Sequence, residues 1–438
     1  MPSAPPTTSR PPTASPTARP TRRPTAAPTH AVAPVPRDPG PGYFNYDPDG
    51  PYGPRRWKRV RAGPGDPGHF WHDGFAISGG DRKDNDCGSD RKQSPIDVCD
   101  RPREVCTETH EMRPKSGDYR MDSDYVTKQI LSNKLRLVLA PRTGEEPDPP
   151  QIDFSSNGRG IIDMTHIDFK FPSEHTVCGY RFDGEMQYFT YHTARKRFVA
   201  VSFFLDGECD RDTRRDRARA SALTTWLTAA LAPHPTASET NPKNGHLQEV
   251  IDAFKAVYDE DARKCRERQR GGRQLHGESR AAPRNATTTA PPRDSARRRL
   301  ALKWHPFHPD VQKTVHFWGY SGSFTDPPCT RDSVDWKVMD VPTPMSPGQL
   351  ADLKRYLFDH VDGRTCRRTS VHNAEGSVAR PIQGPLKYYK CTRDDYVSDE
   401  ERVVCGDGGC ADSPFGAGLN RYYPPLVDVT GPPTRSPS

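Results

Sequence analysis

Residues 163–192 read DMTHIDFKFPSEHTVCGYRFDGEMQYFTYH, and residues 316–329 read HFWGYSGSFTDPPC. Within the first stretch, IIDMTHIDFKF and EMQYFTYH carry the period-two patterning and the β-branched or aromatic content of strands. A turn-rich link joins them. The stretch looks like a pair of strands that once carried metal ligands. The second stretch runs from a strand, TVHFWGYSGS, into a Thr-Asp-Pro-Pro turn, and reads as a loop that would cover such a site.

Working outward, KLRLVLAP, QIDFSS, RFVAVSFFL and VDWKVMDV are further short strands, which predicts a mainly β, mostly antiparallel, sheet-centred domain. The pattern stops near Glu208. RDRARASALTTWLTAALA and HLQEVIDAFKAVYDEDARKCRER have helical spacing, and a basic Gly/Pro/Thr-rich run continues to about Arg299. Residues 208–300 are therefore expected to be an insertion of one or two helices and a disordered loop. In SPGQLADLKRYLFDHV, Ser346 is the expected N-cap of a short helix and Pro347 its first residue.

Composition divides the chain. With 47 prolines and 32% apolar residues it cannot be evenly folded. Residues 1–42 are Pro, Thr, Ser, Ala and Arg, too apolar-poor to offset chain entropy, and are expected to be disordered; an O-glycosylated stalk is the alternative. Residues 391–438 read as an irregular tail with close cysteines. No run approaches the roughly 20 apolar residues of a membrane span. The N-terminus lacks the apolar core of a secretory signal, so either the chain is not exported or a first segment is missing. The 11 cysteines, without CxxC pairs, favour disulfides and an oxidising compartment. A net charge of +7 is modest for this length and argues against nucleic-acid binding.

GPRRW, KQSPIDV, FPSEHTVCGYRFDGEMQ, FWGYSGSFTDPPC and VDWKV follow one another in this order. Together they resemble the marker segments of the α-class carbonic anhydrases, over roughly residues 43–390 outside the insertion. The resemblance implies a large, mostly antiparallel twisted sheet with peripheral short helices and a zinc site at its centre. In active members a His-x-His and a Glu-x-His supply three imidazoles. Zinc lowers the pKa of its bound water to about 7, and the hydroxide attacks carbon dioxide.

By that resemblance the zinc positions here are His166, Asp168 and Gln187, so only one histidine is retained. An amide oxygen is a weak zinc donor, and a carboxylate raises the pKa of bound water relative to an imidazole. Zinc, the family's cofactor, is therefore expected to be absent or weakly bound. His192 lies an odd number of residues beyond Gln187 and would face away unless a bulge intervenes. Thr325 and Glu174 match the pair that orients the zinc-bound hydroxide. His175 and Glu185, ten residues apart, match a buried structural pair, and Tyr320 also matches. The phrase SNKLRLV holds no histidine near Leu135, where fast members carry a proton shuttle.

The resemblance also implies a Cys87–Cys329 disulfide, as in exported members, and hence a secreted, extracellular or lumenal location. Cys99–Cys106, Cys405–Cys410 and Cys366–Cys391 are further candidate pairs. Arginine-rich RDTRRDRARA and SARRRLALK could bind an unknown protein or a polyanionic glycan, or be solvated faces. Two functions follow: a catalytically silent, carbonic-anhydrase-related binding protein, or a zinc lyase using a non-standard ligand set.

Overall fold

The computed structural model of the chain describes residues 30–39, 42–60, 85–98, 113–114, 119–120, 125–139, 149–153, 161–207, 243–274, 303–313 and 317–390. Eight strands form the main path of an eleven-stranded sheet. They are β1 (Val126–Ile130), β2 (Leu135–Leu139), β3 (Ile161–Lys170), β4 (Gly184–His192), β5 (Arg197–Asp206), β6 (Phe317–Gly322), β7 (Val334–Met339) and β8 (Tyr389–Lys390). Their order is β8-β6-β7-β5-β4-β3-β2-β1. All neighbours on this path are antiparallel except β5 and β7. The expected mainly β, mostly antiparallel architecture is the one observed.

Apolar packing covers both faces of this sheet, which is why β5 reads as an almost unbroken apolar run. On one face Leu137, Ile167, Phe169, Met186, Tyr188 and Phe203 join a core that includes Trp57 and the two helices. On the other, Phe189, Phe198, Phe204, Trp318, Phe324 and Trp336 form a second cluster. Gly322 sits where the end of β6 meets the loop at Ser94. A Cβ there would stand 2.2 Å from Ser94 Oγ, so no larger residue fits without movement.

Helix α1 (Gly245–Gln274) is 30 residues long, whereas the expected short helices include α2 (Pro347–Phe358). Leu247, Val250, Ile251 and Phe254 are buried along one stripe of α1, spaced as an amphipathic helix requires. They join the core beneath the sheet, so this part of the 208–300 insertion is built into the fold. Ser346 caps α2 in a reciprocal capping box with Gln349, as its sequence implies. Ser346→Ala is expected to cost about 1 kcal/mol in urea unfolding, with an unchanged slope.

Three features depart from the expectations. Strand β1, reading VTKQI, was not anticipated, because a polar strand at the end of the sheet path carries little apolar signal. Within the segment expected to be disordered, His30 packs on Phe358 and its Nδ1 lies 2.9 Å from Asp359. Cys366 pairs with Cys265 rather than Cys391, since α1 lies against α2 and brings the two Cα atoms to 5.4 Å. The Cys87–Cys329 bond is present. Cys99, Cys106, Cys391, Cys405 and Cys410, the helix expected from RDRARASALTTWLTAALA, both arginine-rich runs and the C-terminal tail lie outside the described residues.

Candidate functional site: a buried ionic cluster at the expected metal position

Strands β2, β3 and β4 lie side by side and set the site by their registers. Asp168 stands opposite Gln187, Lys170 opposite Glu185, and His166 opposite Phe189. On the other side of β3, Arg136 stands opposite Asp168. The i,i+2 pair that faces Glu185-x-Gln187 is therefore Asp168 with Lys170, two residues along from the expected His166 with Asp168. Parity alone cannot choose between them, because residues 166, 168 and 170 all turn to the same face. A register shift between Met164 and His166 belongs to the same ladder.

His166 is buried one pleat further along. Its ring stacks on Phe189 with centroids 4.5 Å apart, and its Nδ1 lies 2.9 Å from Thr165 Oγ1. His192 ends β4 and accepts a 3.3 Å hydrogen bond from the Arg195 backbone N–H, five positions along the strand from Gln187.

Glu174 and Thr325 do meet. The Thr325 hydroxyl donates to Glu174 Oε2 over 2.5 Å. Lys170 Nζ joins them, 3.0 Å from both Thr325 Oγ1 and Glu174 Oε2. The Lys170 side chain is 1% exposed. Burial disfavours its charge, but Asp326 and Glu174 outweigh burial and hold its pKa above the ordinary lysine value. It is an ammonium throughout the neutral range.

Asp168 is held from the side of β2. Arg136 donates from Nε to Oδ1 over 2.6 Å and from a terminal nitrogen to Oδ2 over 2.8 Å. Lys134 Nζ lies 3.4 Å from Oδ2. Burial alone would raise the Asp168 pKa, yet Arg136 and then Lys134 hold it well below the usual carboxylate range. Lys134 also donates to Asp326 over 2.7 Å, and Asn133 reaches the same oxygen over 2.9 Å. Among the described residues, the three cations Lys134, Arg136 and Lys170 thus face the three anions Asp168, Glu174 and Asp326. Such pairing is what lets charges stay buried.

The structural pair is also in place. His175 Nδ1 donates to Glu185 Oε1 over 2.7 Å, and its Nε2 lies 2.6 Å from Tyr320 Oη. Glu185 further accepts from the Ser202 hydroxyl, the Gln187 amide and the backbone N–H groups of Glu174 and His175. Burial opposes its charge, but His175 and these donors bring its pKa down to about 2.

The donor set does not fit a zinc ion. Lys170 offers an ammonium with no lone pair. Both Asp168 oxygens are committed to Arg136. The Gln187 Nε2 donates to Glu174 and Glu185, so the amide is held by its nitrogen end. The residues that sequence reasoning missed are Lys134, Arg136 and Lys170. Their signal was available: KLR, running into β2, and DFK in β3 place charges at alternate positions of segments otherwise too apolar to face water.

The family model for eukaryotic-type carbonic anhydrases matches residues 290–384, which hold the Thr325 loop and strands β6 and β7. Over that segment the chain is similar to the eukaryotic-type carbonic anhydrases. Among solved structures it is similar to dioscorin complexed with ascorbate, at 16% identity and a TM-score of 0.46, over 80% of this chain and 99% of that one. It is similar to the α-carbonic anhydrase of Photobacterium profundum, at 13% identity and a TM-score of 0.41, over 80% and 99%. The α-carbonic anhydrase of Thermovibrio ammonificans with the inhibitor sulfanilamide gives 16% identity and a TM-score of 0.38, again over 80% and 99%. No curated protein sequence matches. Among the described residues, no helix is long and apolar enough to cross a membrane.

Proposed function

We propose that this chain is a catalytically silent carbonic-anhydrase-related protein, exported or lumenal, that serves in binding or recognition. The observation that carries the reading is the Lys170 ammonium, buried 3.0 Å from the Thr325 hydroxyl and from Glu174. In active relatives that threonine orients a hydroxide on a dication. Here a monocation built into the chain stands beside it. A zinc ion would have to overcome its repulsion and take Asp168 from Arg136. The cost of desolvating and unpairing such groups opposes occupancy. The disulfides support the oxidising compartment.

The retained Glu174–Thr325 pair favours the other reading, a zinc lyase that hydrates carbon dioxide. Hydration assays on zinc-supplemented protein decide between them. The uncatalysed rate, unaffected by a sulfonamide, is expected; sulfonamide-sensitive turnover would overturn the silent reading. Substitution sharpens the test. Asp168→His with Gln187→His is expected to create no sulfonamide-binding zinc site while Lys170 remains. Adding Lys170→His, with Arg136→Met to remove the cation that Asp168 held, is expected to create one. Equal results with and without the Lys170 substitution would show that the register assigned to the site is wrong.

A further inference from the structure

We propose that His246, His308 and Asp310 form a separate surface site for a divalent transition metal, with zinc the best match. One ligating atom from each lies within 4.8 Å of the others. The site is not part of the β3–β4 cluster. The Tyr188 hydroxyl donates over 2.8 Å to the carbonyl of Pro306, in the loop that carries His308 and Asp310. Tyr188 and Gln187 are successive residues of β4, so this loop lies on the sheet face opposite the ionic cluster.

The two limbs of the site are locked together by one buried residue. Asn244 caps α1, accepting a 3.1 Å hydrogen bond from the Leu247 backbone N–H, which sets His246 in the first turn. Its side-chain amide donates to the carbonyl of Asp310 over 2.9 Å and to that of Pro344 over 3.0 Å. The loop is closed by bonds from the Val311 and Gln312 N–H groups to the His308 carbonyl, at 2.7 and 2.9 Å. Support of this kind holds ligands near a productive geometry.

The ligand chemistry favours a borderline-soft ion. Two imidazoles and a carboxylate suit zinc and leave a further position for water. His308 Nδ1 accepts from the Asp310 backbone N–H over 3.1 Å and lies 3.5 Å from Asp310 Oδ2. Nδ1 can therefore bind a metal only by giving up that hydrogen bond, and otherwise Nε2 is the ligand. The His246 and His308 rings stack with centroids 3.5 Å apart. Ligands on tetrahedral zinc stand roughly 3.3 Å apart, so the rings must tilt open by side-chain rotation alone. Lys313 Nζ, 3.7 Å from Asp310 Oδ1, is the competing cation.

Calorimetric titration of the chelator-stripped full chain with zinc tests the site. One equivalent is expected to bind. His246→Ala and His308→Ala should each weaken binding by more than the roughly 10–100-fold that changes behind a ligand cost. Asp310→Asn, at a half-exposed position that should fold normally, should also weaken it, and His166→Phe should not. Absence of saturable binding overturns the proposal, as does binding that survives the His246→Ala, His308→Ala double substitution. Binding that survives the double substitution but is lost in His166→Phe would place the zinc at β3–β4, and would overturn the silent reading as well.

Discussion

Asp168→Ala is expected to lower the free energy of unfolding by about 3–5 kcal/mol. The carboxylate is 1% exposed and holds Arg136 through two short charge-assisted bonds. Its removal takes from Arg136 the carboxylate that both of these bonds engage, and from Lys134 one of its two described anions. The cost comes from stranding charge rather than from losing a contact. Replacing Arg136 and Asp168 together by Met and Leu should therefore cost much less than either single change. Urea midpoints measure both, and a loss below about 1 kcal/mol for Asp168→Ala would mean that water reaches the cluster.

The same carboxylates set the acid limb of stability. Asp168 has a folded pKa below its ordinary value of 3.8. Glu185 falls from 4.5 to about 2. For a depressed carboxyl the stabilisation is complete above the unfolded pKa and is lost as pH falls through the folded one. For Glu185 that is roughly 3 kcal/mol, lost between about pH 4.5 and 2. In Asp168→Ala the slope of stability against pH below about 4 should be shallower than in the parent.

Removing the Cys87–Cys329 bridge, by Cys87→Ser with Cys329→Ser, is expected to cost about 5.5 kcal/mol in the chain-entropy model. The bond joins residues 242 apart in sequence, so it removes much freedom from the unfolded chain. It also anchors the loop over the ionic cluster. The Asp86 N–H donates to the Pro328 carbonyl over 2.8 Å, and the Gln93 amide to that of Cys329 over 3.0 Å. The Cys265–Cys366 bond, between residues 101 apart in sequence, remains in that variant. Reductant should lower the thermal midpoint of the parent by more than that of the double variant. Equal shifts would show that the long bridge contributes little.

Much of the fold is legible along the chain because its signals are local. Strands β2 to β7 announce themselves by alternation or by β-branched and aromatic content, and α2 by Ser346 and Pro347. The buried stripe of α1 shows in the spacing of Leu247, Val250, Ile251 and Phe254. Glu174, Thr325, His175 and Glu185 were found because each sits in a phrase of family spacing. The cations were not, because the metal positions were searched for side chains that could bind a metal. Lys170 and Arg136 became visible only as residues that share a face with Asp168 or lie beside it.

Composition and period determined which side chains turn to one face of β3: His166, Asp168 and Lys170. That parity is a property of any strand and needs no partner. Which two of the three meet Glu185 and Gln187 was decided by the tertiary structure, through the β3–β4 ladder and its register shift. A slip of two residues keeps every side chain on its proper face, so the apolar pattern cannot forbid it. Only the packed ladder, with Arg136 drawn onto Asp168 from β2 and Lys170 onto Thr325 from β3, selects one register.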